Sequence, residues 1–316
     1  MKKLLFFVNP KAGQGTQGFN LVALLQEFAA AGYRTEVYLT QRPGDLTEVI
    51  AREGWKYDLI VSSGGDGTLN ETTSGLMQLP EDRRPLLGYI PRGTVNDVSF
   101  NLGLSKQPLK AVRDILSGNP LQMDVGRCND RWFNYVAAFG MFTDVSYRTP
   151  QEEKRILGRL AYFLDGAKRL SDIRRIRVRL RVNGQELEET VLVGLVTSTT
   201  SVGGFRVGNE NDVDYSDGLF EVLLVRELNT PARLQAAVSG LLRRDFSGDC
   251  FYFCKASHAE FYFDTPEDWT TDGEHAGCFD RVFVDNFHRA VTIQIPGDKG
   301  RGHSGRQLIP AVEKKA

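Results

Sequence analysis

The first half of the chain alternates short apolar segments with amphipathic segments of helical period. Residues 4–8 form an apolar run typical of a buried strand, and between residues 21 and 30 apolar side chains recur at the spacing of one helical face. The same pattern predicts a strand at 35–39, a helix at 46–53, and strands at 59–62 and 86–90. Repeated strand–helix units predict a parallel sheet covered by helices, with functional loops at the carboxyl ends of the strands.

After about residue 125 the pattern changes to alternating polar and apolar positions. Residues 175–182 place arginines on one strand face and aliphatic side chains on the other, and Asn183-Gly184 then predicts a tight hairpin. Further strands are predicted at 191–196, 220–225, 260–263 and 282–284, with helices near 156–170 and 231–242. This half is therefore predicted to be an antiparallel β domain with two helical insertions.

The chain is too long, at 316 residues, for one ordinary core. The sequence predicts an α/β domain with a parallel sheet at 1–125 and an antiparallel β domain at 126–290. The strand predicted at 291–295 fits either domain, so residues 291–316 are a candidate completion of the first.

Charge and cysteine usage exclude several classes of protein. A net charge of −1 argues against nucleic-acid binding. The four cysteines and four histidines show no zinc-ligand spacing, and we expect reduced thiols in the cytoplasm. The amino-terminal apolar run ends at Asn9-Pro10, too early for a signal core or a spanning helix, so any membrane contact is expected to be peripheral.

Three glycine-rich loops follow predicted strands, at residues 9–16, 64–71 and 91–97. Glycines let the backbone approach a ligand closely, and the start of a helix attracts phosphate through its N–H groups and dipole. A glycine can also mark only a tight turn, but three such loops favour a phosphate site. Gly13-x-Gly15-x-x-Gly18 matches the dinucleotide fingerprint, yet Thr40 stands where a dehydrogenase needs a ribose-binding acid.

The second loop carries the most chemistry. Asp66 lies between glycines, and a carboxylate there would repel phosphates unless a divalent cation neutralised it, as phosphoryl transfer requires. Thr68 is a candidate for a phosphate contact and for capping the next helix, two roles that are compatible with each other. Asn70 and Glu71 are expected in the first turn of that helix, where Glu71 fits a solvated surface equally well.

The ordered motifs resemble the diacylglycerol kinase catalytic domain, and most closely the bacterial lipid kinases. The resemblance rests on Asn9-Pro10, on residues 64–71, on Gly88-x-x-Pro91-x-Gly93-Thr94-x-Asn96-Asp97, and on the later motifs at 124–126, 217–220 and 272–274. It implies a cytoplasmic, peripherally membrane-associated enzyme, with a homodimer as a further expectation. That enzyme would use ATP and Mg²⁺ at a site between an amino-terminal nucleotide-binding domain and a carboxyl-terminal β-sandwich domain, which would contribute the general base and the lipid site. It would phosphorylate diacylglycerol to give phosphatidic acid.

The resemblance also assigns site residues. It implies that Asp66 and Asp124 organise the catalytic Mg²⁺ and that Glu274 is the general base. A second, structural Mg²⁺ would be held by Asp214, Asp217 and Leu219, although these residues also fit a plain polar turn. The residues implied in nucleotide binding are Asn9, Thr40, Gly65, Asp66, Gly67, Thr68, Leu69, Asn70, Glu71 and Thr94.

Two positions depart from the family pattern. Gln14 and Asp165 stand where close relatives tend to carry lysines, and Lys11 and Lys168 are candidate substitutes. The departures keep another lipid alcohol open as acceptor, such as phosphatidylglycerol, a sphingoid base or an isoprenoid alcohol. An NAD kinase and a nucleotide sensor without turnover are further alternatives. For membrane contact, the arginine row at 175–181 is one candidate, although a solvated strand face is the favoured interpretation.

Overall fold

The structure, a computed structural model, describes residues 1–10, 12, 19–94, 96–140, 174–198, 201–202, 205–206, 215–243 and 245–297. The chain divides into two compact units. Met1–Asp124 and the chain from Arg289 onward form the first, and Val125–His288 forms the second. The helix predicted near 156–170 lies outside the described residues, as do Lys11, Gln14, Asp165, Lys168 and Asp214.

The first unit contains the predicted parallel sheet. Its strands are β1 (Lys2–Val8), β2 (Tyr33–Leu39), β3 (Leu59–Gly64) and β4 (Leu86–Pro91), and they lie in the order β4-β3-β1-β2. All neighbouring pairs are parallel. The carboxyl end of the last described strand continues this sheet, because Ile293 pairs in parallel with Leu87. The strand predicted at 291–295 thus belongs to the first unit.

Helices cover both faces of this sheet. They are α1 (Leu21–Ala30), α2 (Asp45–Glu53), α3 (Asp66–Met77), α4 (Asp97–Leu102) and α5 (Pro108–Ser117), with 3₁₀ turns at Gly54–Lys56 and Glu81–Arg83. Helices α1 and α5 bury Phe28 and Val112 in one core with Phe6 of β1, and the rings of Phe6 and Phe28 lie 5.5 Å apart. Burying each such ring contributes about 2–3 kcal/mol. Helices α2 and α3 pack together, with Ile50 against Gly75.

The second unit is antiparallel, as predicted. Its strands are β5 (Asn119–Cys128), which begins in the first unit, β6 (Arg131–Phe133), β7 (Val136–Gly140), β8 (Ile176–Val182), β9 (Gln185–Thr197), β10 (Ser201–Val202), β11 (Phe205–Arg206), β12 (Phe220–Arg226), β13 (Phe251–Ala256), β14 (His258–Thr271) and β15 (Glu274–Ile295), which ends in the first unit; its described helix is α6 (Pro231–Arg243). Strands β7 and β8 pair with successive segments of the same two long strands, β9 and β14. Phe139, Phe261 and Trp269 fill the core beneath them.

Strand β8 shows the predicted alternation of buried and exposed side chains. Its aliphatic residues are buried and its arginines exposed, and Asn183 and Gly184 take the predicted two-residue turn with φ of 51° and 74°. Acidic side chains neutralise the arginine row. The pairs are Arg175–Glu227 at 2.8 Å, Arg177–Asp264 at 3.8 Å, Arg179–Glu186 at 3.9 Å and Arg181 with Glu186 and Glu260. This pairing favours the solvated-face interpretation over attraction to anionic headgroups.

Candidate functional site

The first and second strand-end loops meet at the carboxyl edge of the parallel sheet. The backbone N–H of Asn9 donates to the carbonyl of Ser63 at 3.1 Å, and its side-chain amide donates to Oγ1 of Thr68 at 3.3 Å. Thr40 follows β2 at the same edge, where its N–H donates to the carbonyl of Val8 at 3.2 Å. The structure therefore brings Asn9, Thr40 and Thr68 to one end of the sheet.

Helix α3 begins at Asp66, directly after β3. Its first ladder bond runs from the N–H of Leu69 to the carbonyl of Gly65 at 3.1 Å, so the amides of Gly67 and Thr68 precede the ladder. Such amides, with the positive end of the helix dipole, form an anion-binding seat. The half-buried carboxylate of Asp66 lies in this first turn.

The expected capping role of Thr68 is wrong. Thr68 is the third residue of α3, and its side chain is buried, with Oγ1 accepting from the side-chain amide of Asn9 directly after β1. Gly65 is the N-cap, without a side-chain cap bond. The helix starts three residues earlier than a cap at Thr68 would require, because its N-cap is Gly65. Asn70 and Glu71 consequently fall in the second turn rather than the first.

Asn96 organises the third loop. Its side chain is buried with φ of 55°, and its Oδ1 accepts from the N–H of Gly93 at 2.9 Å and from the hydroxyl of Tyr89 at 3.3 Å. Its own N–H donates to Oδ2 of Asp66 at 2.9 Å. Burial, and secondarily the charge of Asp66, raise the pKa of Tyr89 well above its usual value, so its hydroxyl stays a neutral donor.

Two glycines allow the second and third loops to touch. A Cβ on Gly93 would lie 2.7 Å from Cα of Gly65 and 2.8 Å from Oδ1 of Asn96. The backbones are joined further by the N–H of Arg92, which donates to the carbonyl of Gly64 at 2.7 Å. The guanidinium of Arg92 lies 3.9 Å from the centroid of the Phe19 ring. Only glycines permit the second and third loops to approach so closely at residues 65 and 93.

The remaining nucleotide candidates have different environments. Thr94 is exposed at the tip of the third loop, whereas the side chain of Leu69 is fully buried in the core. Oδ1 of Asn70 accepts from Ser74 at 3.4 Å, and the carbonyl of Glu71 accepts from Thr47 at 2.8 Å. Leu69 can therefore reach a ligand only through its backbone.

Asp124 is a buried carboxylate on β5, 2% exposed. Its Oδ1 accepts from the N–H of Arg289 at 2.7 Å, and Arg289 takes a left-handed conformation with φ of 52°. Both residues belong to the first unit. Asp124 thus fixes the point at which the chain re-enters that unit.

Glu274 begins β15 in the second unit. It is exposed and pairs with Thr271 across a two-residue turn made by Asp272 and Gly273, whose φ values are 48° and 85°. Glu274 is therefore the first residue of a long strand, which begins eight residues before the segment predicted at 282–284. Asp272 itself is buried and accepts several hydrogen bonds, which the sequence motif alone did not indicate.

The candidate second metal site is described only in part, because Asp214 lies outside the described residues. Oδ1 of Asp217 accepts from the N–H of Leu219 at 2.9 Å, and Lys255 lies 3.6 Å from Oδ2 of Asp217 and 3.3 Å from Glu221. Burial raises the pKa of Glu221 to about 7, against the opposing effect of Lys255. The three-ligand site therefore stays a prediction.

Three residues were missed as organisers of the site: Tyr89, Asn96 and Asp272. Asn96 and Asp272 are named in the quoted motifs, whereas Tyr89 occupies an unspecified position between Gly88 and Pro91. Their roles depend on partners far away in the chain. Asn96 and its partner Asp66, for example, are 30 positions apart. A motif can name a residue such as Asn96 or Asp272, but it does not show what that residue contacts.

Comparison with known proteins places the chain in a family. The model for the "Diacylglycerol kinase catalytic domain" matches residues 3–128. A diacylglycerol kinase of Bacillus subtilis (strain 168) is 32% identical over 301 residues, covering 95% of this chain and 98% of the relative. The chain belongs to the diacylglycerol kinase family. A diacylglycerol kinase of Staphylococcus carnosus (strain TM300) is 35% identical over 229 residues, covering 72% of this chain and 74% of the relative.

Solved structures of the family share the fold. A crystal structure from Bacillus anthracis str. Sterne is 28% identical, covers 93% of this chain and 97% of its own, and superposes with a TM-score of 0.76. Another from the same organism, described as a diacylglycerol kinase, is 26% identical with a TM-score of 0.70 and the same coverage. The order of an amino-terminal α/β domain and a carboxyl-terminal antiparallel β domain, predicted from the sequence, is confirmed, and the chain is a kinase of this family.

Proposed function

We propose that this kinase transfers the γ-phosphoryl group of ATP to the free hydroxyl of diacylglycerol, giving phosphatidic acid, with Mg²⁺ as the required metal. One observation carries the proposal: the hydrogen bond from Asn96 fixes Asp66 in the first turn of α3, at an edge where three strand-end loops meet. A helix start with a fixed carboxylate suits a metal-bound triphosphate. The acceptor is inferred from the relatives, which are named diacylglycerol kinases.

The donor set fits Mg²⁺. This ion takes oxygen ligands, and in phosphoryl-transfer sites it is held by one or two carboxylates together with substrate phosphates and water. Asp66 and Asp124 supply carboxylates in the first unit. In the described part of the chain no group of three His, Cys, Asp or Glu converges on a metal position, which suits a metal that depends on the nucleotide. When bound, Mg²⁺ neutralises the phosphates and stabilises the charge that develops on them.

Phosphate binding, nucleotide binding and proton acceptance are assigned to different residues of the chain. Amides of Gly65, Gly67 and Thr68, at the start of α3, bind phosphate oxygens, and Leu69 and Asn70 contribute from the same helix. Glu71, the residue after Asn70, belongs to the same nucleotide site. Asn9, Thr40 and Thr94 line that site from the neighbouring loops. Glu274 accepts the proton as the lipid oxygen bonds to the γ-phosphorus, and the bond between that phosphorus and the β,γ-bridging oxygen breaks to release ADP.

The remaining sequence-based expectations are part of the proposal. Asp214, Asp217 and Leu219 hold a structural Mg²⁺ through one carboxylate and two backbone carbonyls. Substrate is taken from a bilayer by peripheral contact in the cytoplasm, and the chain forms a homodimer. No helix in the described ranges combines the length and hydropathy needed to cross a membrane.

An acceptor panel tests the proposal. The enzyme is incubated with γ-labelled ATP, with and without Mg²⁺, in mixed micelles that contain diacylglycerol, phosphatidylglycerol, a sphingoid base or an isoprenoid alcohol, and separately with NAD. We expect Mg²⁺-dependent label in phosphatidic acid. Label chiefly in another lipid would overturn the acceptor, and label in NAD would overturn the lipid-kinase proposal.

A further inference from the structure

The Asp272 carboxylate is the centre of a hydrogen-bonded clamp in the second unit. Its Oδ2 accepts from the backbone N–H of Asn134 at 2.7 Å and from the side-chain amide of Asn134 at 3.2 Å. Its Oδ1 accepts from the N–H groups of Tyr135 at 3.0 Å and Val136 at 3.2 Å. The N–H of Asp272 donates back to the carbonyl of Val136 at 2.8 Å.

The clamp joins the β14–β15 turn to the segment between β6 and β7. A third segment locks the same stretch, because Ser198 donates from its N–H to the carbonyl of Tyr135 and from its hydroxyl to the carbonyl of Asn134, both at 3.1 Å. Asn134 and Ser198 are almost completely buried. Hydrogen bonds between such buried groups hold position well, since breaking one leaves a desolvated polar atom.

A buried carboxylate at this position needs an explanation. An Asp-Gly turn requires only that both residues tolerate positive φ, which asparagine would satisfy equally well. An asparagine, however, has one acceptor oxygen, and its amide group would face two of the N–H donors that surround Asp272. The four donors therefore select a carboxylate, a demand that the turn alone does not make.

We propose that Asp272 is the positioning residue for Glu274, fixing the turn from which this glutamate projects toward the lipid hydroxyl. The inference rests on the proposed function, in which Glu274 is the base. Glu274 is exposed and lies two residues beyond Asp272, so the geometry of the turn sets the origin of its side chain. Proton transfer requires hydrogen-bond reach, and a displacement of about 1 Å can lower the rate about 100-fold.

The test compares Asp272→Asn with a matched turn in the same unit. Asn129 also has positive φ, at 51°, and clamps its turn by accepting from the N–H of Phe283 at 2.9 Å and donating to the carbonyl of Arg281 at 3.2 Å. The variants are Asp272→Asn, Asn134→Ala, Asn129→Ala, Glu274→Gln and the double variant Asp272→Asn with Glu274→Gln. For each, kcat, KM for ATP and the unfolding midpoint are measured, with kinetics well below every midpoint.

We expect Asp272→Asn to lower kcat about 10- to 100-fold while KM for ATP stays within about twofold, and Asn129→Ala to keep kcat within about twofold. Asn134→Ala removes one donor and should lower kcat about 3- to 10-fold, so the inference remains testable if Asp272→Asn folds poorly. The double variant should have the same residual turnover as Glu274→Gln, because a positioning residue has nothing left to position.

Two outcomes separate this inference from the proposed function. Full kcat in Asp272→Asn, or a loss that adds in full to that of Glu274→Gln, would overturn the positioning role while leaving Glu274 as the base. Full kcat in Glu274→Gln would overturn the base assignment of the proposed function, and the positioning role with it.

Discussion

The backbone N–H of Asn96 donates to Oδ2 of Asp66 at 2.9 Å, across 30 positions of sequence. This bond joins the loop after β4 to the first residue of α3, so a residue in the third loop sets the orientation of a carboxylate in the second. The side chain of Asn96 reinforces the arrangement by binding the N–H of Gly93 and the hydroxyl of Tyr89. Asp66, the proposed metal ligand, is thus positioned by Asn96, a residue in the left-handed backbone conformation whose own role is structural.

Replacing Asn96 should therefore weaken both the fold and nucleotide binding. Asn96→Ala forces a Cβ-bearing residue without local hydrogen bonds to keep φ of 55° and leaves the N–H of Gly93 without its acceptor, a loss of about 2–4 kcal/mol. Tyr89→Phe removes one hydroxyl donor. Its acceptor, the carbonyl of Gly64, still accepts from the N–H of Arg92, so this variant should be less stable by only about 1 kcal/mol. Urea unfolding and KM for ATP measure both effects. Equal stability of the two variants would contradict the interpretation.

The contact between the glycine loops predicts a graded response to added methyl groups. Gly93→Ala places Cβ 2.7 Å from Cα of Gly65, so one backbone must move, whereas Gly65→Ala places it at 3.3 Å from Cα of Gly93. We expect Gly93→Ala to lose about 1–3 kcal/mol of stability and to raise KM for ATP more than Gly65→Ala does. Gly248 has open space around its Cα, and Gly248→Ala is the control expected to match wild type. A neutral Gly93→Ala would show that the loops do not need this contact.

Asp66→Asn should separate the structural role of this residue from its proposed metal role. Asparagine keeps an oxygen for the N–H of Asn96, so the unfolding midpoint should change little, but the negative charge that attracts Mg²⁺ is lost. We expect turnover to fall at least about 100-fold, and ATP affinity to become insensitive to Mg²⁺. Calorimetric titration of ATP with and without Mg²⁺ measures the second effect. Full turnover in this variant would refute the assignment of the second loop.

The sequence predicted those features that depend on short stretches of chain. Glycine and asparagine signals located the second and third loops and the Asn183-Gly184 turn, and the alternation in β8 identified its buried face. Longer-range contacts were not predictable in the same way. The start of α3 at Asp66, ahead of Thr68, is supported by packing of the helix and by the bond from Asn96, although Gly67 is a poor helix former.

The long strands were only partly recognised for a related reason. β14 and β15 extend over His258–Thr271 and Glu274–Ile295, whereas the sequence predicted short segments at 260–263, 282–284 and 291–295. Register shifts between Tyr262 and Glu267 and between Trp269 and Thr270 interrupt the pairing, and charged side chains obscure the alternation. Partner strands that lie far away in the chain satisfy the backbone of these irregular stretches.

Glu274→Gln should abolish phosphoryl transfer with little change in ATP binding. Glutamine keeps the size of the side chain but cannot take a proton, so kcat should fall about 100- to 10,000-fold. Glu188→Gln, a substitution of an exposed glutamate on β9 in the same unit, is the control and should keep wild-type kcat. Comparable turnover in Glu274→Gln and the control would mean that another group accepts the proton.

A surface histidine gives the stability of the second unit a predictable pH dependence. Partial burial acts to lower the pKa of His258, but its hydrogen bonds to Asp285 at 2.7 Å and Glu260 at 3.3 Å raise the pKa above 6.5 on balance. The folded state therefore binds the proton more tightly than the unfolded state does. This stabilisation is complete below about pH 6.5 and is lost as the pH rises through the folded pKa.

His258→Gln removes the titrating group, so the gap in unfolding free energy between wild type and variant should narrow between about pH 6 and pH 8. Urea unfolding across that range measures the gap. Asp285→Asn removes one hydrogen-bond partner of His258, so the gap in unfolding free energy between wild type and this variant should also narrow as the pH rises. A gap that stays constant with pH would show that these carboxylates do not hold the imidazolium.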